Sequence, residues 1–408
     1  MRLSTRQGDV PGVLSYDSVE ERFRVDCAQG DLYDLRRAGD FTFKVRGTRA
    51  AARGYVAIRH GVHFLALHEL RVGTDSLQEE LQSLRLAIEN ASLAFSYRFD
   101  DGAAVGQIEI PLPAIDEAPP AKLTLENGDL VITPADGALL AALLPHVAAL
   151  EDLITFCCNK PSAVQAVTGM TTTGREIAIL GQTRYLPFRK PAPKVYDLAM
   201  RLGNARAPQL FAWWWEARTE ARPVTQILAG TLYQGGFVES GAIALLAAAE
   251  VWSRNAFEIQ GAAPFTDRQL APIVKALQAI PDMDKAQKSF VRRVRRNKPA
   301  DTTLGDHLRA MLDDLGDHVS EARIARDVLV TLALRARNQI AHEGAPRGQG
   351  AKDAMTDAEL RAVRDATRLL LTLSVCKAAG VPAAALSLTG RQLGSRYAQA
   401  HKQSGIFL

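Results

Sequence analysis

Residues 320–346 are the most informative stretch of the chain. They read Ser320-Glu-Ala-Arg-Ile-Ala-Arg-Asp-Val-Leu-Val-Thr-Leu-Ala-Leu-Arg-Ala-Arg-Asn-Gln-Ile-Ala-His-Glu-Gly-Ala-Pro346. The apolar residues run through most of the stretch and polar residues follow them, as in a helix that leaves the core at its end. Gly344 fits a helix C-cap and Pro346 prevents continuation. The sequence therefore predicts one helix from Ser320 to about Glu343.

Three polar residues, Arg337, Asn338 and His342, stand at the end of this predicted helix. An Arg guanidinium binds phosphate bidentately, and a His changes protonation near neutral pH. RNA carries its own nucleophile, the 2′-hydroxyl, so cleavage needs proton transfer and a cation that stabilises the charged phosphorane. The helix C-terminus also favours a protonated His342. These residues fit a metal-independent ribonuclease site, and equally a structural histidine at a helix end.

The Arg-x4-His spacing occurs a second time, at Arg396 and His401. With eight histidines in the chain, about one chance match to so loose a pattern is expected. The second copy has no Asn after its Arg. We interpret it as a coincidence.

The helical pattern continues on both sides of this stretch, from about residue 195 to the end. Predicted helices cover 210–220, 223–233, 240–257, a segment after Thr266, 283–296, 302–315 and 356–378. Trp213, Trp214 and Trp215 are about 100° apart on a helix, so one face does not hold all three. We interpret them as core and contact residues.

Two charged features of this half bear on RNA. Glu250 lies inside an apolar helix and needs a partner; it either orients Arg337 or His342 or pairs with Arg254 one turn on. Residues 285–298 form a basic run with no acidic residue after 285. Its RNA-binding candidates are Arg292, Arg293 and Arg296, which would track a phosphate backbone. The alternative is a solvated basic face.

Residues 1–190 are predicted to form a β-rich, sandwich-like domain with one helix near 138–157. Leu123 to Thr133 reads as a hairpin around Asn127-Gly128, because Asn-Gly supplies the positive φ angles of a tight turn. Thr171 to Gly174 is another hairpin turn and lacks the Lys of a phosphate-binding loop. Three prolines between Pro187 and Pro193 mark a linker. The predicted fold is α+β and multidomain, with 195–408 as an all-α helical bundle.

Composition limits the remaining classes of function. The chain has 408 residues, 47% hydrophobic and 23% charged, which are the values of an ordinary globular protein. The best apolar stretch, residues 137–156, is interrupted by Pro, His, Glu and Asp, so we expect no membrane span and a cytoplasmic location. The four cysteines and the group His60, His63 and His68 lack metal-site spacing. We therefore expect no metal and no cofactor.

Arg337 to His342 resembles the signature of the HEPN superfamily, all-helical domains that often act as metal-independent ribonucleases. Three further segments resemble the helices around that motif in the ApeA-like branch: Trp215 to Val224 with Leu228 to Tyr233, Leu245 to Trp252, and Leu369 to Pro382. The resemblance covers about 195–385 and extends loosely to 1–190. ApeA-like proteins are anti-phage abortive-infection effectors.

The resemblance implies a specific activity for this chain. Arg337, Asn338 and His342 would be catalytic, and cleavage of tRNA or other structured RNA would leave 2′,3′-cyclic phosphate and 5′-hydroxyl ends. We would expect a homodimer with two motifs in one cleft, a phage-derived activator and a regulatory or sensor role for 1–190. The alternative is a non-catalytic HEPN-like binding or dimerisation module.

Overall fold

A computed structural model describes most of the chain. The described residues are 2–5, 8–17, 22–27, 39–45, 48–59, 62–74, 76–91, 94, 109–126, 128–180, 198–199, 207–220, 222–233, 237–257, 267–281, 283–285, 287–288, 290–291, 302–342 and 355–408. Before residue 71, and at 180, 207–209, 220, 222, 267, 341 and 342, only the backbone is described. The predicted linker 187–193 lies outside the described residues.

The chain divides into two compact units. The first unit comprises residues 1–235 and 375–393, and the second comprises 236–374 and 394–408. The predicted boundary lay at 190–195, at the change in composition. In the structure, the two helices that follow this change in composition belong to the first unit. The late segment 375–393 belongs to the first unit as well.

Twelve antiparallel strands form the sheet of the first unit, and the first six close on themselves. These six are β1 (Arg2–Thr5), β2 (Gly8–Asp17), β3 (Arg22–Cys27), β4 (Gly39–Val45), β5 (Thr48–Arg59) and β6 (Val62–Val72). They pair in the order β3-β2-β1-β4-β5-β6, and β3 also pairs with β6. The expected β-rich region is confirmed, but a closed sheet replaces the predicted sandwich. Closure pairs what would otherwise be free edges.

The other six strands extend this sheet from β6. They are β7 (Leu81–Ile88), β8 (Glu109–Leu112), β9 (Ala121–Glu126), β10 (Asp129–Pro134), β11 (Val164–Thr171) and β12 (Glu176–Leu180), in the order β12-β11-β7-β10-β9-β8. The predicted hairpin is confirmed: Glu126 pairs with Asp129, and Gly128 has φ +92°. The turn at Thr171 to Gly174 is confirmed as well, between β11 and β12.

Among the described residues before 235, the first unit has three helices of full length: α1 (Leu140–Cys158), α2 (Ala207–Glu220) and α3 (Arg222–Tyr233). Pro145 lies within α1 without ending it, and the helix predicted near 138–157 is confirmed. Trp214 and Trp215 are fully buried on α2, and the Trp214 indole donates to the carbonyl of Ala149 on α1 at 3.2 Å. These tryptophans are core residues.

Among the residues that the structure describes, α1 alone has the length and hydropathy of a membrane span, and 72% of its apolar window is buried inside the fold. It also buries His146, Glu151 and Asp152. Ionisable groups of this kind are retained in a protein interior when other protein groups satisfy them. We therefore interpret α1 as a core helix of the first unit.

After residue 236, the part of the chain that the structure describes has seven bounded helices: α4 (Val238–Ala256), α5 (Asp267–Gln278), α6 (Leu304–Leu315), α7 (Asp317–Glu321), α8 (Arg326–His342), α9 (Asp357–Ala378) and α10 (Ala383–Ala400). The division between the units falls within α9 and within α10. Within the second unit, α4, α6 and α8 pack against one another.

Capping side chains explain where two of these helices begin. Thr303 accepts from the backbone N–H of Asp306, whose carboxylate accepts from the backbone N–H of Thr303 at 2.9 Å. Thr356 and Glu359 make the same reciprocal pair ahead of α9. Both are capping boxes, which satisfy backbone donors that have no partner within the helix.

The helix predicted from Ser320 begins instead at Arg326. Arg323 has φ +58°, a left-handed conformation that interrupts a helix. The carbonyl of Ile406 accepts from the N–H of Ala325 at 2.7 Å, and the carbonyl of Arg323 accepts from the N–H of Leu408 at 2.8 Å. Long-range backbone bonds therefore stabilise the break, which local sequence pattern does not reveal.

Candidate active site

Helix α8 carries the predicted site residues on its last turns. Its buried face includes Leu329, Val330, Ala333 and Ala336. Immediately after them, Arg337 and Asn338 are exposed. The helix thus leaves the core where the polar residues begin, as the sequence predicts.

His342 is the last helical residue of α8. It follows Asn338 by four residues, which is about one helical turn. The side chain of His342 lies outside the described residues. Its predicted role as the proton-transferring group therefore stays a prediction.

Glu250 on α4 contacts two of the three partners that the sequence suggested for it, Arg254 and Arg337. Its Oε1 accepts a hydrogen bond from Arg254, one turn on, and its Oε2 lies 3.7 Å from Nη2 of Arg337. The longer separation is an ion pair without a hydrogen bond. Glu250 therefore attracts Arg337 electrostatically while bonding chiefly to Arg254.

The end of α8 is tied to the start of α9. The Oε1 atom of Gln339 accepts from the backbone N–H of Met355 at 2.7 Å, and Arg335 Nη1 lies 3.9 Å from Oε1 of Glu359. These residues flank Arg337 on the helix. Their contacts restrict how the last turns of α8 can move.

A buried histidine that sequence reasoning missed lies beside this cluster. The ring of His307 on α6 contacts the hydroxyl of Ser253 at 3.2 Å and that of Thr302 at 3.1 Å. Burial lowers its pKa, an effect opposed by the nearby Glu250 carboxylate and reinforced by Arg254. His307 is therefore neutral at pH 7. A lone His in the first turn of a helix offers no sequence signal for a buried position beside the site.

The basic run is described only at its start. Lys285 and Lys288 are exposed, and Asp284 and Gln287 bond reciprocally through side chain and backbone at the beginning of the segment. Phe290, within the run, is 51% exposed. The RNA-binding candidates Arg292, Arg293 and Arg296 lie outside the described residues.

The second Arg-x4-His copy has a different environment. His401 is mostly buried, and its Nε2 lies 2.9 Å from Oδ2 of Asp365. Its ring stacks on Phe407 with centroids 6.0 Å apart. Such contacts are typical of a structural histidine.

No group of three metal-ligating side chains occurs in the part of the chain whose side chains are described. The side chains of the group His60, His63 and His68 lie outside that part. Cys157, Cys158 and Cys376 are buried and free.

Comparisons with protein-family models, with curated proteins and with solved structures find no match to this chain. The site therefore has to be interpreted from its own residues. On α8, the exposed Arg337 and Asn338 precede His342 by about one helical turn. The carboxylate of Glu250 lies beside Arg337 and also pairs with Arg254.

Proposed function

We propose that the protein is a metal-independent endoribonuclease of the HEPN type that cuts tRNA or another structured RNA. The observation that carries the proposal is the placement of Arg337 and Asn338, both exposed where α8 leaves the core, ahead of His342 at its end. A guanidinium in this position can bind the phosphate and stabilise the phosphorane. No metal is needed for either task.

The reaction follows from the chemistry of RNA. The 2′-oxygen bonds to phosphorus as the bond from phosphorus to the 5′-oxygen breaks. The 2′-hydroxyl loses its proton to a water molecule, and the departing 5′-oxygen gains one from protonated His342 in this proposal. The products carry a 2′,3′-cyclic phosphate and a 5′-hydroxyl.

The biological role in this proposal rests on the resemblance of residues 195–385 to the ApeA-like branch. The protein would be a cytoplasmic, homodimeric abortive-infection effector, held inactive until a phage component appears. The β-rich first unit would act as the regulator. Because residues 375–393 belong to that unit, cutting the chain near 190 would separate them from residues 1–190 of the same unit.

The test is cleavage by the full-length protein. Purified wild type and His342→Ala are incubated with total bacterial tRNA in EDTA, with and without extract of phage-infected cells, and new RNA ends are mapped. We expect cyclic phosphate ends with wild type only. Arg396→Gln, which alters the second Arg-x4-His copy, is the matched control and should still cut. Absence of wild-type cuts in the presence of extract, or equal cuts by His342→Ala, would contradict the proposal.

The contact between Arg337 and Glu250 favours a second candidate, a non-catalytic HEPN-like binding or dimerisation module. In that case Arg337 is a structural residue that joins α8 to α4. Arg337→Gln would then change the oligomeric state measured by light scattering. RNA ends would not differ between wild type and His342→Ala.

A further inference from the structure

Two arginines from different helices approach one carboxylate near the proposed site. Arg254 bonds to Oε1 of Glu250, and Arg337 lies 3.7 Å from Oε2. Two positive charges therefore face a single negative charge. The cluster of Glu250, Arg254 and Arg337, here called the arginine pair site, carries a net positive charge at neutral pH.

The carboxylate of the arginine pair site is less exposed to solvent than its two guanidinium groups. The side chain of Glu250 is 18% exposed, whereas that of Arg254 is 58% exposed and that of Arg337 is 48% exposed. The carboxylate thus lies beneath two guanidinium groups that face solvent. Each guanidinium has five N–H donors in a planar fork, so one bond to Glu250 leaves Arg254 with donors for a ligand.

The neighbouring groups leave this charge in place. His307 on α6 is buried, and burial lowers its pKa, so it contributes no charge at pH 7. The carboxylate of Asp306, next to it, has its own cation, because Arg309 Nη1 lies 3.5 Å from its Oδ1. On α8, Arg335 lies near Glu359 of α9 rather than near Glu250.

We propose that Arg254 is a second RNA-binding arginine, which contacts a phosphate neighbouring the one that Arg337 contacts on the same RNA strand. This inference rests on the proposed ribonuclease function and names a further residue of its binding surface. A phosphate inserted between the two arginines would meet the Glu250 carboxylate and be repelled. Two phosphates of one strand avoid that repulsion, because each meets one guanidinium on its solvent side.

The phosphate that Arg254 contacts in this proposal determines which kinetic constant the residue affects. A phosphate next to the one that reacts keeps its charge during cleavage, so the contact is equally strong in the ground and transition states. Such uniform binding lowers KM and leaves kcat unchanged. Arg337, which faces the reacting phosphate in the proposal, would instead affect kcat.

The test measures binding of a fluorescent, single-stranded 2′-O-methyl RNA, which lacks the 2′-hydroxyl needed for cleavage. Full-length wild type and Arg254→Gln are titrated at several salt concentrations. We expect Arg254→Gln to bind about ten-fold more weakly at low salt, the loss of one charge-assisted hydrogen bond. The slope of log affinity against log salt should fall by about 0.7, the value for one phosphate on a single strand.

Arg175→Gln is the matched control. Arg175 is 48% exposed and pairs with the mostly buried Glu79 of the first unit, as Arg254 pairs with Glu250. The Arg175→Gln variant should bind the RNA with the wild-type affinity and salt slope. Arg254→Lys, which keeps the charge without the planar fork, should retain the wild-type salt slope but bind several-fold more weakly than wild type. If Arg254→Gln fails to fold, wild-type affinity in Arg254→Lys overturns the inference.

Four outcomes separate this inference from the proposed function. Unchanged binding and slope in Arg254→Gln overturn the inference, whether or not wild type cuts RNA. A reduced salt slope in Arg254→Gln supports the inference even if wild type cuts no RNA. In that case only the ribonuclease proposal fails. If wild type cuts RNA, a raised KM and an unchanged kcat in Arg254→Gln support the inference further. Failure of wild type to bind the RNA at low salt overturns it.

Discussion

Two arginine–carboxylate pairs, one in each unit, show how surroundings change the meaning of the same chemistry. Arg218 on α2 and Asp152 on α1 form a hydrogen-bonded pair in the first unit, with side chains 6% and 0% exposed. Arg337 on α8 and Glu250 on α4 form a looser pair in the second unit, half exposed on the Arg side. Both pairs join two helices.

The difference indicates which pair is available for function. Charges removed from water must satisfy each other, because an unpaired buried ion is strongly destabilising. Arg218 is therefore committed to Asp152. An exposed pair contributes little to stability, since water and salt screen it. Arg337 can therefore exchange its weak attraction to Glu250 for a phosphate at small cost to the fold.

Arg218→Met should have the largest effect on stability. The substitution leaves Asp152 buried without its cation and should lower the free energy of unfolding by about 3–5 kcal/mol. Urea unfolding followed by tryptophan fluorescence measures this, because Trp214 and Trp215 lie on the same helix. Adding Asp152→Leu should recover much of the loss. A loss below about 1 kcal/mol in the single variant would remove the contrast between the two pairs.

A second effect, smaller and pH-dependent, concerns His146 beside the buried pair. Its Nδ1 accepts from the Trp215 indole at 2.9 Å, and its Nε2 donates to the carbonyl of Pro119 at 2.7 Å. The bond from Trp215 requires the neutral ring, because a protonated Nδ1 cannot accept a hydrogen bond. Burial lowers the pKa of His146, opposed by the bond to Pro119.

Because the folded-state pKa is lowered, the unfolded chain binds the proton more readily. The stability that the neutral His146 ring contributes is fully present above the ordinary His pKa of about 6.5. This contribution falls as pH decreases below that value, by at most about 1.4 kcal/mol per pH unit. His146→Gln, whose amide can replace both bonds, should show a shallower decline. Urea unfolding at several pH values checks this. Equal declines in both proteins would exclude His146 as the titrating group.

Arg337→Gln should have the smallest effect on stability and a large one on activity. We expect a change of about 0–1 kcal/mol in the free energy of unfolding, as for an exposed ion pair. Cleavage should fall by about a hundred-fold or more, the loss of one preorganised donor to the phosphorane. Both are measured on one preparation, by urea unfolding and by mapping RNA ends. A large loss of stability would instead make Arg337 a structural residue like Arg218.

Features with a local cause were predictable from the sequence. Asn127-Gly128 predicted its hairpin because the turn requires positive φ angles that these residues adopt readily. The end of α8 agrees with its prediction, because apolar periodicity stops where Arg337 begins. Glu250 was recognised as needing a partner because a charge inside an apolar helix is costly.

Features with a distant cause were not predictable. The start of α8 depends on backbone bonds from residues 406–408, about 80 residues away. A close approach also fixes this region: a Cβ on Gly394 would lie 2.2 Å from the carbonyl oxygen of Ala322. Pairing of β3 with β6 closes the first six strands on themselves, with four strands between the two in the sheet. Alternation of residues along a strand does not specify such a pairing.

The sequence by itself determined the order of β-rich and helical segments, the tight turns and the polar end of α8. Each of these depends on backbone preferences or side-chain periodicity over a few residues. Only the tertiary structure decided that residues 375–393 belong to the first unit, that Arg218 is buried with Asp152 while Arg337 is exposed, and that Arg254 shares Glu250 with Arg337. These facts depend on which surfaces meet when distant segments pack, and the same residue types are compatible with either outcome.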